Sequence, residues 1–172
     1  MKTNITGTID PKAHREYFLK EFKKRFGHLT YKEDAEQKGK EEQIILMIQS
    51  PSENLGSLRV FLSKYEITIS FPKISFHSHF DLINSIGHIA PDADASIPTR
   101  INALDFIKKI IDDRVSIRCY KRKERFESAT VIDSSAGKPQ ESLSSLSRPF
   151  KSLFLTYEKE DYYWSGKQTS ED

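Results

Sequence analysis

The chain has 172 residues, which is within the usual size of one domain. Apolar residues make up 37% and charged residues 30%, and the content of Phe and Tyr excludes a disordered chain. The 27 Lys and Arg against 25 Asp and Glu give a formal net charge of only +2, which does not favour a nucleic-acid partner.

Cysteine use and hydropathy indicate the cellular compartment. Cys119 is the one cysteine of the chain, so it has no partner for an intramolecular disulfide or a zinc site. The first twelve residues contain no apolar segment of a secretory signal. The longest apolar run, at 44–48, is too short to cross a bilayer. We therefore expect a cytoplasmic protein that has no membrane partner.

The first predicted element is a helix that begins after Asp10 and ends near Gly27. Asp10 can cap its first turn, and Pro11 suits a position where a missing N–H costs nothing. Apolar residues recur at helical spacing and form one stripe, made of Phe18, Leu19, Phe22 and Phe26.

The next stretch changes from a polar segment to strands. Residues 32–43 are almost entirely polar, and we expect an exposed loop or a frayed polar helix there. The apolar run at 44–48 favours a buried strand. Between 58 and 80, apolar and polar residues alternate, which indicates three half-buried antiparallel strands. Their apolar sides are Val60 and Leu62, then Ile67, Ile69 and Phe71, then Ile74, Phe76 and Phe80.

The second half begins with a predicted loop at 87–99. A helix over 101–111 follows, with Ser96 or Thr99 as its cap. Strands over 115–120 and 126–132 are expected to form a hairpin across a charged turn. We predict a mobile Ser-rich loop at about 134–147, a last strand at 150–157 and a flexible tail after about 165.

This order of elements predicts the fold class. Runs of strands with few helices are typical of an α+β protein. We expect one domain over residues 1–172, built as a single mostly antiparallel sheet with two main helices packed on it. The sequence indicates no oligomeric state.

A histidine cluster offers one candidate chemistry. On a strand, His77 and His79 point to the same side, and Asp81 follows on that side. These three residues are candidate metal ligands for a small metal-dependent enzyme. The alternative is that the histidines make hydrogen bonds on the polar face of a strand, which the common H-x-H spacing favours.

Other catalytic patterns are missing or incomplete. The chain has no G-x-S-x-G, and Cys119 alternates with polar residues as a core side chain does. It has no glycine loop that would hold a phosphate, so we expect no catalytic residue and no cofactor. The basic run at 121–125 lies between Tyr120 and Phe126, and it is either a nucleic-acid contact or a solvated hairpin tip.

The end of the chain combines acids with aromatic residues. Such a cluster suits a protein interface, or alternatively covers the edge of the core. The candidate partner-binding residues here are Glu158, Glu160, Asp161, Tyr162, Tyr163 and Trp164.

Two short segments carry a family resemblance. The stretch from Glu66 to Phe71 reads E-I-T-I-S-F, and the stretch from Phe76 to Asp81 reads F-H-S-H-F-D. Together they resemble the pattern E-[IV]-T-V-x-F followed by H-x-H-F in immunity proteins of bacterial polymorphic and contact-dependent toxin systems. Ser70 stands where that pattern often has glycine.

The resemblance implies a cytoplasmic antidote that needs no catalytic residue. Such a protein binds a toxin domain, often a nuclease, and blocks its active site or substrate path. Because many antidotes of basic nucleases are acidic, Asp92 and Asp94 are further partner-binding candidates beside the acidic tail. The alternatives are the metal-dependent enzyme and the nucleic-acid-binding module.

Overall fold

The computed structural model describes residues 10–39, 41–74, 76–82, 102–123, 125–133, 140–141, 157–166 and 168–171. Within these ranges the chain forms two α-helices and ten strands, arranged as two five-stranded sheets in which every strand pair is antiparallel. The α+β class is confirmed, whereas the prediction of a single sheet is wrong.

The elements follow one another in this order. They are α1 Pro11–Phe26, β1 Tyr31–Lys38, β2 Glu41–Ile48, β3 Leu58–Leu62, β4 Glu66–Phe71, β5 Phe76–Asp81, α2 Ala103–Ile111, β6 Val115–Arg122, β7 Arg125–Asp133, β8 Gln140–Glu141, β9 Glu158–Tyr162 and β10 Gln168–Glu171. A 3-10 turn, Pro72–Ile74, joins β4 to β5. Ile74, predicted on the apolar side of a strand, lies in this turn.

Sheet A is a meander in the order β1-β2-β3-β4-β5, and sheet B has the order β10-β9-β6-β7-β8. The predicted strands between 58 and 80 and the predicted β6–β7 hairpin are confirmed. Strand β6 lies between β7 and β9, a pairing that joins positions such as Ile117 and Tyr162 over a long sequence distance. Local alternation does not encode such a pairing, which is why the division into two sheets was missed.

The two helices begin at different kinds of cap. Asp10 Oδ1 accepts a hydrogen bond from the N–H of Lys12 at 2.9 Å, as predicted for α1. Helix α2 is capped by Asn102, whose side chain accepts from the N–H of Asp105 at 2.9 Å. The prediction of Ser96 or Thr99 as this cap is therefore wrong, and both residues lie outside the described residues. Buried side chains of both helices belong to the same hydrophobic cluster as those of the strands.

The prediction of an exposed loop or a frayed polar helix over 32–43 is wrong, because this segment contributes most of β1 and the start of β2. The two strands pair in register from Tyr31 opposite Ile48 to Lys38 opposite Glu41. Gly39 has φ +67° in the turn between them, a conformation that suits glycine. Because β1 is an edge strand and its residues from 32 to 37 are exposed, no apolar alternation marks it in the sequence.

Several predictions fall on residues outside the described ranges. These include the 87–99 loop, the Ser-rich loop at 134–147 apart from Gln140–Glu141, and the strand at 150–157 apart from Tyr157. The tail predicted to be flexible after residue 165 contains β10, which pairs with β9.

Neither described helix has the length and apolar content needed to cross a membrane.

Candidate partner-binding face

Sheet A has a buried face and an opposite face, which we call the open face. Successive side chains of a strand point to opposite sides. On β2, for example, Leu46 and Ile48 point into the core, whereas Ile45 and Met47 point away from it. The open face comprises Lys32, Asp34 and Glu36 of β1, Glu41, Gln43, Ile45 and Met47 of β2, Arg59 and Phe61 of β3, Glu66, Thr68 and Ser70 of β4, and His77, His79 and Asp81 of β5.

The polar residues of the two segments that carry the family resemblance come together on the open face, whereas the apolar residues of these segments point into the core. In the β4–β5 ladder, Ser70 lies opposite His77, Thr68 opposite His79 and Glu66 opposite Asp81. The sequence prediction that His77, His79 and Asp81 share one side is confirmed, since all three are exposed at alternate positions of β5. The rings of His77 and His79 lie edge to face, with 5.2 Å between their centroids.

Hydrogen bonds orient the ring of His79. Its Nδ1 lies 2.7 Å from Glu66 Oε1, and the Thr68 hydroxyl donates to the same oxygen at 2.8 Å. A carboxylate oxygen can only accept, so Nδ1 of His79 carries the hydrogen. In the neutral ring Nε2 is then an acceptor, which suits a donor group of a bound partner.

The same geometry bears on the metal-site hypothesis. Within the ranges that the structure describes, no group of three or more His, Cys, Asp or Glu side chains is arranged to hold a metal ion. Glu66 joins His79 by a hydrogen bond, with both side chains about half exposed. His79 thus makes a hydrogen bond on a strand surface, as the alternative expects.

An apolar group occupies the middle of the open face. Ile45 lies directly opposite Phe61 across the β2–β3 ladder, and Met47 is the next residue of β2 on this side. All three side chains are partly exposed. Contiguous apolar side chains with a polar surround are typical of a surface that another protein covers.

The tail candidates lie mostly in sheet B. Tyr162 and Trp164 are 5% and 7% exposed and belong to the hydrophobic core, with the ring of Trp164 6.3 Å from that of Phe71. Tyr163 is partly exposed, and Glu158 is exposed at the start of β9. For the two core aromatics, this placement favours covering of the core edge over an open interface.

Two acids of the tail, Glu160 and Asp161, form ion pairs within the protein. Arg118 and Asp161 form a buried bidentate ion pair, with Nε–Oδ1 and Nη2–Oδ2 distances of 2.7 and 2.8 Å. Lys121 Nζ lies 2.5 Å from Glu160 Oε2, and the Tyr162 hydroxyl donates to that same oxygen. Asp161 and Glu160 are therefore not free charges for a partner.

The pKa values around Glu160 reflect this pairing. Burial alone would raise the pKa of Glu160, but the hydrogen bonds from Lys121 and Tyr162 outweigh it and lower the pKa. Burial would lower the pKa of Lys121, and its bonds with Glu160 and Tyr162 reverse this and raise it. For Tyr162, burial and its hydrogen bond to Glu160 both raise the pKa.

Cys119 and the basic run at 121–125 differ in their surroundings. Burial raises the pKa of the Cys119 thiol to about 12, so this core cysteine is not an activated nucleophile. In the basic run, Lys121 is bound to Glu160 and lies over the ring of Phe126. Arg122, Lys123 and Arg125 are exposed around the β6–β7 turn.

Comparison with models of protein families, with curated proteins and with solved structures finds no match to this chain.

The placement of acids is the feature that sequence reasoning missed. Asp92 and Asp94 lie outside the described residues, whereas the β1–β2 hairpin presents Glu33, Asp34, Glu36, Glu41 and Glu42 on exposed positions. The signal was present in the acidic segment 32–43, but it was interpreted as a loop or frayed helix.

Proposed function

We propose that this chain is an immunity protein that binds and neutralises a toxin domain of the nuclease class in the bacterial cytoplasm. The observation that supports this most is the gathering of the polar residues of the two resemblance segments on one exposed face. Glu66, Thr68, His77 and His79 come from two strands, and their hydrogen bonds and ring contacts form one continuous polar surface.

The chemistry of the described residues fits a binding role. The one thiol of the chain is buried and has a raised pKa, and His79 bonds to the half-exposed carboxylate of Glu66 on an open strand surface. An antidote needs a stable surface complementary to its target and no reactive group. Binding then blocks the active site or the substrate path of the toxin.

Co-expression with the product of the adjacent upstream gene tests this function. We expect that gene product alone to arrest bacterial growth, and this chain to restore growth and to co-purify with it at 1:1 stoichiometry. An unrelated protein of similar size, expressed at the same level, is the control. Continued growth arrest with both proteins present, or a harmless upstream product, would contradict the proposal.

Removal of metal separates the antidote from a metal-dependent enzyme. Because the described residues form no group of three or more His, Cys, Asp or Glu side chains arranged to hold a metal ion, we expect a chelator to leave both the complex and the thermal stability of this chain unchanged. The measurement is co-purification and thermal melting with and without chelator. Loss of the complex in chelator, with recovery on adding zinc, would favour the enzyme hypothesis.

A further inference from the structure

We infer that the open face of sheet A is the docking surface, and that its occupant is a basic surface of the toxin domain. This inference rests on the proposed function, and it adds the location of the interface and the charge of the partner. Three features of the described residues support it, namely the apolar centre, the acidic surround and the opposite charge on the other side of the sheet.

The apolar centre has the composition of an interface core. Ile45 and Phe61 pair across β2 and β3, and Met47 adjoins them. None of the three points toward the buried side of the sheet, where Leu46, Val60 and Leu62 are fully buried. Aromatic and Met side chains are enriched in the centres of protein interfaces, where burial of apolar area contributes most to binding.

The surround of this centre is acidic. Among the side chains of the open face that the structure describes, the basic residues are Lys32 and Arg59. The acids number five and are Asp34, Glu36, Glu41, Glu66 and Asp81. The acids repel phosphates, so a basic protein suits the face better than a nucleic acid.

The opposite side of sheet A is basic. Helix α1 contains six Lys and Arg against two Glu. It lies on the buried side of the sheet, since the Phe22 ring is 5.3 Å from that of Tyr31 and Lys23 Nζ is 3.2 Å from Glu33 Oε2. Tyr31 and Glu33 alternate with the open-face residues of β1. A basic partner is therefore attracted to one side of the sheet and repelled from the other, which orients it before contact.

The face is large enough for a specific complex. Five strands about 4.8 Å apart and about 20 Å long cover roughly 500 Å² in plan. Because side chains project from the sheet, the accessible area of the face is larger than its plan area. It is comparable with the ~800 Å² that each partner buries in a standard protein complex.

Two matched charge reversals test the charge of the partner. Glu36→Lys changes an exposed strand glutamate on the open face, and Glu127→Lys changes one on β7 of sheet B. With the purified upstream gene product as the partner, we expect Glu36→Lys to raise the Kd about tenfold, mainly through slower association. Glu127→Lys should change the Kd less than about twofold.

A further variant tests the apolar centre. Phe61→Thr retains a strand-forming residue and should raise the Kd by about 10- to 100-fold, mainly through faster dissociation. Thermal melting of each variant shows whether it is folded. Equal Kd values for native protein and all folded variants would overturn the docking face while leaving the antidote function intact.

Two other outcomes also decide the inference. If the native protein does not bind the upstream gene product, both the function and the docking face are overturned. If sedimentation shows a native dimer that Phe61→Thr converts to a monomer, a second copy of this chain occupies the face and the basic partner is excluded.

Discussion

Arg118 and Asp161 form the least exposed of the described ion pairs in sheet B, with side chains 9% and 11% exposed. The bidentate geometry satisfies both oxygens of the carboxylate. Removal of one partner leaves the other charge buried and unpaired, which costs more than the pair contributes. Asp161 therefore stabilises the fold of sheet B and does not contribute a free charge to an interface.

Substitution of Asp161 by Ala should lower the free energy of unfolding by about 3 kcal/mol. Urea denaturation at neutral pH measures this loss. Glu158→Ala on the same strand removes an exposed acid and should change stability by less than about 0.5 kcal/mol. A similar small effect for both variants would mean that Arg118 and Asp161 are not paired in a buried site.

Glu160 should make stability depend on pH in the acid range. Its pKa is lowered in the folded protein from the ordinary 4.5, so its contribution is present at pH values above 4.5 and is lost as the pH falls through the lowered pKa. We expect Glu160→Gln to be less stable than the native protein at pH 7, with a difference that shrinks below about pH 4. Urea midpoints across this range measure the difference, and a constant difference would contradict the account.

The turn between β1 and β2 requires a backbone conformation that favours glycine. Gly39 has φ +67°, and a Cβ added there would meet nothing within 4 Å. Any cost of Gly39→Ala therefore comes from the backbone conformation, and we expect a loss of about 1–2 kcal/mol. Gly39→Asn should lose less, because Asn tolerates this conformation. Thermal melting of both variants checks the order, and equal stability of Ala and Gly would contradict it.

Elements with apolar periodicity could be predicted from the sequence. The stripe of Phe18, Phe22 and Phe26 marks α1, and the alternation of Ile67, Ile69 and Phe71 marks β4, because burial on one side determines these positions. Strand β1 has no such signal. Its polar residues form a strand because its backbone pairs with β2, and this tertiary pairing outweighs local preference.

The candidate site was predictable only in part, for the same physical reason. Alternation along β5 is sufficient to put His77 and His79 on one side. The contact of His79 with Glu66 depends on the β4–β5 register, and the apolar group of Ile45 and Phe61 depends on the β2–β3 register. The pairing of Asp161 with Arg118 depends on β6 and β9 being neighbours, although 43 positions separate the two residues.

At the scale of the whole molecule, a net charge of +2 conceals an uneven distribution. Among the described residues, helix α1 carries six Lys and Arg against two Glu, whereas the open face carries five acids against Lys32 and Arg59. Such a molecule can attract a basic partner on one side without being acidic overall. We therefore expect association with the proposed toxin partner to slow about tenfold or more between 50 and 500 mM salt. Stopped-flow mixing measures this rate, and a salt-independent rate would argue against an acidic docking face.

Titration of toxin activity tests the antidote function most directly. Purified upstream gene product is assayed for its nuclease activity while the molar ratio of this chain is raised. We expect a linear decrease of this activity that reaches full inhibition at a ratio of 1:1. Undiminished activity at a tenfold excess of this chain would contradict it.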